Sequence, residues 1–275
     1  GVSSLTTGLD NVTGGAGDDS ISALNTTLTV GDKINGGEGT DTVSMTAVLT
    51  AGASVSGQTI SNVEALNVSL VDGNATASHA LTMNMITSPV GSVTLTGTSA
   101  TANPDELSLT NLALNTPLNM SGVANQSLTV VYAGATGSSD SASLSLNGVT
   151  STVATDTVVD IAAIEILNID VVSSSVIGTL TTTGTGVLNI TGAGNFGVTA
   201  GLGATIDTVA AGDATGDLSI TAGNVTDNAN PSTVDIADIS ITTGSGDDTI
   251  NVNAVNADRE LAISTGAGDD TVVMD

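Results

Sequence analysis

The chain has 275 residues, room for one large all-β domain or two smaller ones, and carries 28 acidic residues against only Lys33 and Arg259. A formal charge of −26 excludes ordinary nucleic-acid binding, which needs basic surface, and disfavours insertion at an anionic membrane. Disorder, the other common reading of high charge, is set aside because 40% of the residues are apolar and the mean hydropathy is positive. Thr, Val, Ser, Ala, Gly, Asn and Leu dominate, strong helix formers are scarce, and the only aromatic residues are Tyr132 and Phe196. That composition suits a thin solenoid filled with stacked aliphatic side chains. Cysteine is absent, no apolar run is long enough to span a membrane, and no basic leader precedes the first repeat. The start at Gly1 and the end soon after a repeat read as a fragment or processed piece of a longer protein.

In chain order, the first clear signal is Gly14-Gly-Ala-Gly-Asp-Asp19-Ser-Ile-Ser22, repeated as Gly36-Gly-Glu-Gly-Thr-Asp41-Thr-Val-Ser44. Each copy is a glycine turn, then a carboxylate, then a two-step alternation ending on an inward aliphatic residue. Weaker copies lie at residues 5 to 13, with Asp10 in register, and 27 to 35, with Asp32 in register. The N-terminus therefore reads as two nines, a four-residue insert from Ala23 to Thr26, and two nines more. Two nines make one coil of a β-roll, so the clear copies stack on one edge and a cation can sit between them. Glycine lets carbonyl oxygens turn inward there, and Asp at the sixth place adds charge. A hard cation such as Ca²⁺ prefers such oxygens.

Next comes the phrase Ile60-Ser-Asn-Val-Glu-Ala-Leu-Asn-Val68, which returns as Ile161-Ala-Ala-Ile-Glu-Ile-Leu-Asn-Ile169 and hints at two related halves. Aliphatic-x-aliphatic strands punctuate the rest: Val93/Leu95, Leu107/Leu109, Leu128/Val130, Leu144/Leu146, Leu188/Ile190, Leu218/Ile220, Ile239/Ile241 and Leu261/Ile263. Segments 70–80, 97–106, 133–142 and 223–233 read as loops, and Pro89, Pro104, Pro117 and Pro231 fall in or beside them. Asn147-Gly148 between two alternating runs predicts an antiparallel hairpin near 142–153, within an antiparallel excursion over 128–158. At 191–199 the glycines persist, but Phe196 takes the place of the acid; no metal is expected there, and the ring fills or caps the core. Two last copies, at Thr243–Asn251 and Thr265–Val273, lack only the first glycine.

These nonapeptides fit the pattern G-G-x-G-x-D-x-U-x and resemble the calcium-binding repeats of RTX (repeats-in-toxin) proteins. The Thr/Ala/Asn-rich remainder and the phrase at 60–68 resemble bacterial surface-layer proteins and RTX-type adhesins. The resemblance implies an all-β, right-handed parallel β-helix or β-roll. Its calcium-binding coils would lie at 1–50 and 234–275, with a solenoid at 51–233 between them. It implies Ca²⁺ held by the side chains of Asp19, Asp41, Asp248 and Asp270. Carbonyls near Gly15, Gly17, Gly37, Gly39, Gly244, Gly246, Gly266 and Gly268 would complete the shells. Asp10 and Asp32 are second-tier ligands on the opposite edge, while Asp18, Asp247 and Asp269, at the fifth place, are expected to face solvent. It further implies type I secretion, an extracellular location, and a structural subunit that folds and assembles on meeting calcium. That subunit would form a homo-oligomeric lattice or filament, with a cell-surface polysaccharide as candidate anchor. The alternative is the stalk or ligand-binding module of an adhesin.

Catalysis has little to work with. His79, the only histidine, reads as a surface-loop residue; there is no Cys nucleophile and no H-E-x-x-H. Lys33 beside Asp32, and Arg259 between Asp258 and Glu260, serve local neutralisation rather than the base of a polysaccharide lyase. Thr94/Thr96 and Thr181/Thr183 could order water for ice binding, but Thr is also a good exposed strand residue. No enzyme activity is expected.

Overall fold

A computed structural model describes residues 1–203, 205–222, 239–252 and 261–274. Among these residues there is no helix, and every strand pairing is parallel. The chain winds as a β-solenoid. One twelve-stranded sheet runs through it from Val2–Ser4 to Leu261–Ser264, taking one strand from each coil.

The opposite side is made of three shorter sheets. A three-stranded sheet (Asn11–Thr13, Lys33–Asn35, Thr59–Ser61) serves the first coils. A six-stranded sheet takes over from Ala53–Val55 to Thr179–Thr183, and a five-stranded sheet runs from Ser175–Ile177 to Thr271–Met274. At each hand-over one coil contributes to both sheets, which lets the cross-section change while the long sheet continues.

Period-two alternation explains the stacking. Ile21, Val43, Leu66, Val93, Leu118, Leu144, Ile169 and Ile190 lie in register on successive strands of the long sheet, and all are buried. Met45, Val68, Leu95, Met120, Leu146 and Val171 form the next column. Each such side chain contributes roughly 1.5–3 kcal/mol by leaving water. Between them, outward, Ser22, Ser44, Asn67, Thr94, Asn119 and Ser145 align. The aliphatic pairs read from the sequence all fall on strands, and Leu66/Val68 and Leu167/Ile169 point inward as expected. Residues 223–233 lie outside the described residues.

The antiparallel excursion is corrected. Ser141–Asn147 pairs in parallel with Leu118–Ala124 on one edge and with Ile166–Ser173 on the other. Both edges are taken, so no hairpin partner can dock. Gly148, with φ of +67°, turns the chain round a corner rather than back on itself. Beyond that corner Val149 is buried, its N–H donates to Ser175 Oγ and its carbonyl accepts from Val176 N–H. Gln126–Ala133 and Val158–Ala162 likewise pair in parallel, with each other.

Phe196 is buried, stacked in register between Ser175 and Leu218, so the ring fills the core as its place in the decayed repeat predicts. Phe196→Ala should cost about 3–5 kcal/mol in urea unfolding. Phe196→Leu should cost far less and leave the midpoint of any calcium titration unmoved.

Candidate functional site

The glycine-rich turns lie where one coil stacks on the next. Ala16 bridges Glu38 in parallel, and Glu38 N–H donates to the Gly15 carbonyl at 2.9 Å. At the other end Ala267 N–H donates to the Gly244 carbonyl, also at 2.9 Å. Two of the carbonyls expected as ligands thus already join neighbouring coils.

The sixth-place acids follow a rule that the sequence reading missed. Each that has a described coil before it accepts the backbone N–H of the residue in register one coil earlier. Asp41 Oδ1 accepts from Asp19 N at 2.7 Å, Asp32 Oδ1 from Asp10 N at 2.8 Å and Asp270 Oδ1 from Asp248 N at 3.0 Å. Asp248 Oδ1 accepts from Leu218 N at 2.8 Å. The glutamate of the repeated phrase does the same work: Glu64 Oε2 takes Asp41 N and Glu165 Oε2 takes Asp140 N. Asp105 takes His79 N. Apart from Leu218, which opens a strand, these N–H groups sit at corners just outside the strand ladders, where an unpaired donor is costly. The visible signal was an Asp or Glu standing immediately before an alternating run.

The fifth-place acids Asp18, Asp247 and Asp269 are exposed, as expected, and from there Asp18 and Asp247 also cap in the opposite direction. Asp18 Oδ1 accepts from Thr40 N, Asp217 Oδ1 from Asp247 N and Asp247 Oδ1 from Asp269 N, each at 2.9 Å. Asn195 continues this column: its Nδ2 donates to Asp217 Oδ2 at 2.8 Å.

What distinguishes the candidate ligands is the second carboxylate oxygen. In the weak copies it is satisfied locally: Asp32 Oδ2 accepts from Thr29 N and Oγ1, and Asp10 Oδ2 from Thr6 N. Asp19 Oδ2 accepts from Gly15 N at 2.7 Å, while its Oδ1 meets the Gly1 ammonium. Asp41 and Asp248 differ. Both are fully buried, and among the described residues Oδ2 of each has no hydrogen-bond partner. A buried ionised oxygen without a donor is expensive. A hard cation is one group that would complete it, and the donor set, carboxylate plus backbone carbonyl, is all oxygen. Among the described residues no three His, Cys, Asp or Glu side chains converge as a metal-ligating group. A cation at these turns would therefore draw most of its ligands from the backbone. Asp270, in the last described coil, is half-buried.

No protein-family model matches the chain, and neither does a curated protein or a solved structure.

His79 lies in the loop before Ala80–Asn84, as expected, but not at the surface. Its side chain is 13% exposed, and Nδ1 lies 3.6 Å from Oδ1 of the buried Asp105.

Proposed function

We propose that this protein is an exported structural β-solenoid of the bacterial cell surface, closed by Ca²⁺ at its glycine-rich turns. The observation that carries this reading is the orphaned Oδ2 of Asp41 and of Asp248. These are equivalent places in two motif copies far apart in the chain, and both oxygens are buried beside stacked glycine turns. Calcium would supply a divalent charge that tolerates six to eight oxygen ligands in irregular geometry. The protein's part is to hold carboxylates and turned carbonyls together, and to exclude water from them. Asp41 and Asp248 are the first-choice ligands, followed by Asp270. Asp19, Asp10 and Asp32 rank last because their oxygens are already occupied.

The charge balance points the same way. With 28 acids against two bases the folded chain repels itself unless cations neutralise it. Binding energy then becomes folding energy, so the chain stays loose where calcium is scarce and sets where it is plentiful. The self-assembling lattice or filament, the anchoring polysaccharide and the extracellular location belong to this same reading.

The test is a calcium titration of the full chain, followed by circular dichroism and by electron microscopy. Gain of β signal with growth of sheets or fibres on adding calcium is the expected result. A calcium-bound monomer that adheres to cells or glycans would move the protein to the adhesin stalk. Identical spectra and assembly state in chelator and in excess calcium would remove the basis of the proposal.

A further inference from the structure

Asp105 and Gln126 open neighbouring strands of the six-stranded sheet and stack in register, the two strands lying about 4.8 Å apart. Both are fully buried. Asp105 Oδ1 accepts from His79 N at 2.9 Å, and Gln126 Nε2 donates to the Leu70 carbonyl at 3.1 Å. That leaves Asp105 Oδ2 and Gln126 Oε1, two buried acceptors on stacked residues, each without a donor. Reversing the Gln126 amide gives no relief, because it would set its oxygen against the Leu70 carbonyl.

We propose that Asp105 is held as the carboxylic acid in the folded protein and donates its proton to the Gln126 side-chain carbonyl. The pair then locks the middle coils together inside the core. One proton satisfies both orphaned oxygens and removes a buried charge. His79 Nδ1, also buried without a partner, is one competitor, but at 3.6 Å it is too far for a hydrogen bond and lies against Oδ1 rather than the orphaned Oδ2. A metal ion is the other, and close packing disfavours it. A Cβ on Gly97 would lie 2.8 Å from Gln126 Nε2 and 2.9 Å from Oε1. A proton needs no such volume.

The surroundings favour the neutral form. Burial pushes the Asp105 carboxyl up from its ordinary range and Asp72 adds to the rise, against a partial downward pull from His79 and Ser99. The charged and titratable groups around it are Asp72 at the end of Ala65–Asp72, His79 before Ala80–Asn84, and Asp156. Asp156 accepts from Ala102 N in the segment leading into Asp105. Glu106, next on the same strand, alternates to the outer face. A carboxyl raised in the fold adds stability fully below its unfolded value, near 3.9, and loses that contribution as pH climbs through the folded value. This does not depend on calcium.

The test compares thermal melts of the full chain with those of Asp105→Asn, from about pH 4 to about pH 9 at one fixed calcium concentration. The amide of the variant donates to Gln126 at every pH. The expected result is that the unaltered protein loses about 3 °C or more in Tm relative to the variant as pH rises. A gap that stays constant across the range overturns the proposal. If the variant does not fold, the carboxyl carbon of Asp105 in the unaltered protein is followed by NMR. Titration well above the ordinary Asp range supports the acid–amide pair, and titration at or below that range overturns it.

Discussion

Asp41→Asn is expected to leave the protein at least as stable as the unaltered chain in chelator, and to abolish the stabilisation that calcium confers at the N-terminal turns. The variant keeps an oxygen where Oδ1 accepts Asp19 N, so the corner cap survives. It replaces a buried ionised oxygen lacking a donor with a neutral amide. Removing that charge should gain about 1–3 kcal/mol when no cation is present. In calcium the order reverses. A site filled at 100 times its Kd adds about 2.7 kcal/mol to the unaltered fold and nothing to the variant.

Asp41→Ala separates the two roles from the other side. It loses the charge-assisted cap as well, about 1.5–3 kcal/mol, in chelator and calcium alike. Asp248→Asn should repeat the Asp41→Asn pattern at the other end of the molecule. Thermal melts of the three variants with and without calcium decide the matter. If Asp41→Asn responds to calcium as the unaltered protein does, the orphaned oxygen is not a ligand.

Gly36→Ala is expected to be among the most damaging single changes in the chain, while Gly15→Ala two coil edges away is nearly silent. A Cβ at Gly36 would run into the Asn62 carbonyl oxygen and the Asp41 carboxylate. Backbone there cannot yield without opening the Gly36 N–H bond to Ser61 O, 3.0 Å long. The cost should be about 4 kcal/mol or more, the range reserved for real steric failure. At Gly15 a Cβ would meet nothing within 4 Å, so the change should stay within about 0.5 kcal/mol. Urea unfolding of the two variants measures the contrast, and equal effects would refute the stacking account. Gly37, one coil on from Gly15 and in the same motif place, combines a φ of +106° with close approach to the Gly15 carbonyl. Within the first motif copy the contrast recurs: Gly15 and Gly17 face open space, whereas a Cβ on Gly14 would run into the Gly36 carbonyl.

Much of the architecture was legible in residue order. Period-two alternation put the aliphatic pairs on strands, and the recurrence of glycine turns announced a coil. The hairpin at Asn147-Gly148 was misread because a glycine in the left-handed region serves a solenoid corner as well as a reversal. Only the pairing on both edges of Ser141–Asn147 separates the two. The acids were read for their charge, which hid their work as backbone caps; that work depends on which N–H groups fall outside the ladders. Glu64 and Glu165 stood in plain sight within a repeated phrase, yet their partners, Asp41 N and Asp140 N, lie a whole coil earlier. Asp105 and Gln126 could not be paired from sequence, since the register that faces them depends on the lengths of the intervening loops.

The corner acids grip in both senses along the axis, the sixth place reaching back and the fifth place reaching forward. A coil that frays therefore strands a bare amide on one neighbour and an idle carboxylate on the other. Melting of any one coil weakens both beside it, so unravelling should spread from coil to neighbouring coil rather than strike isolated turns.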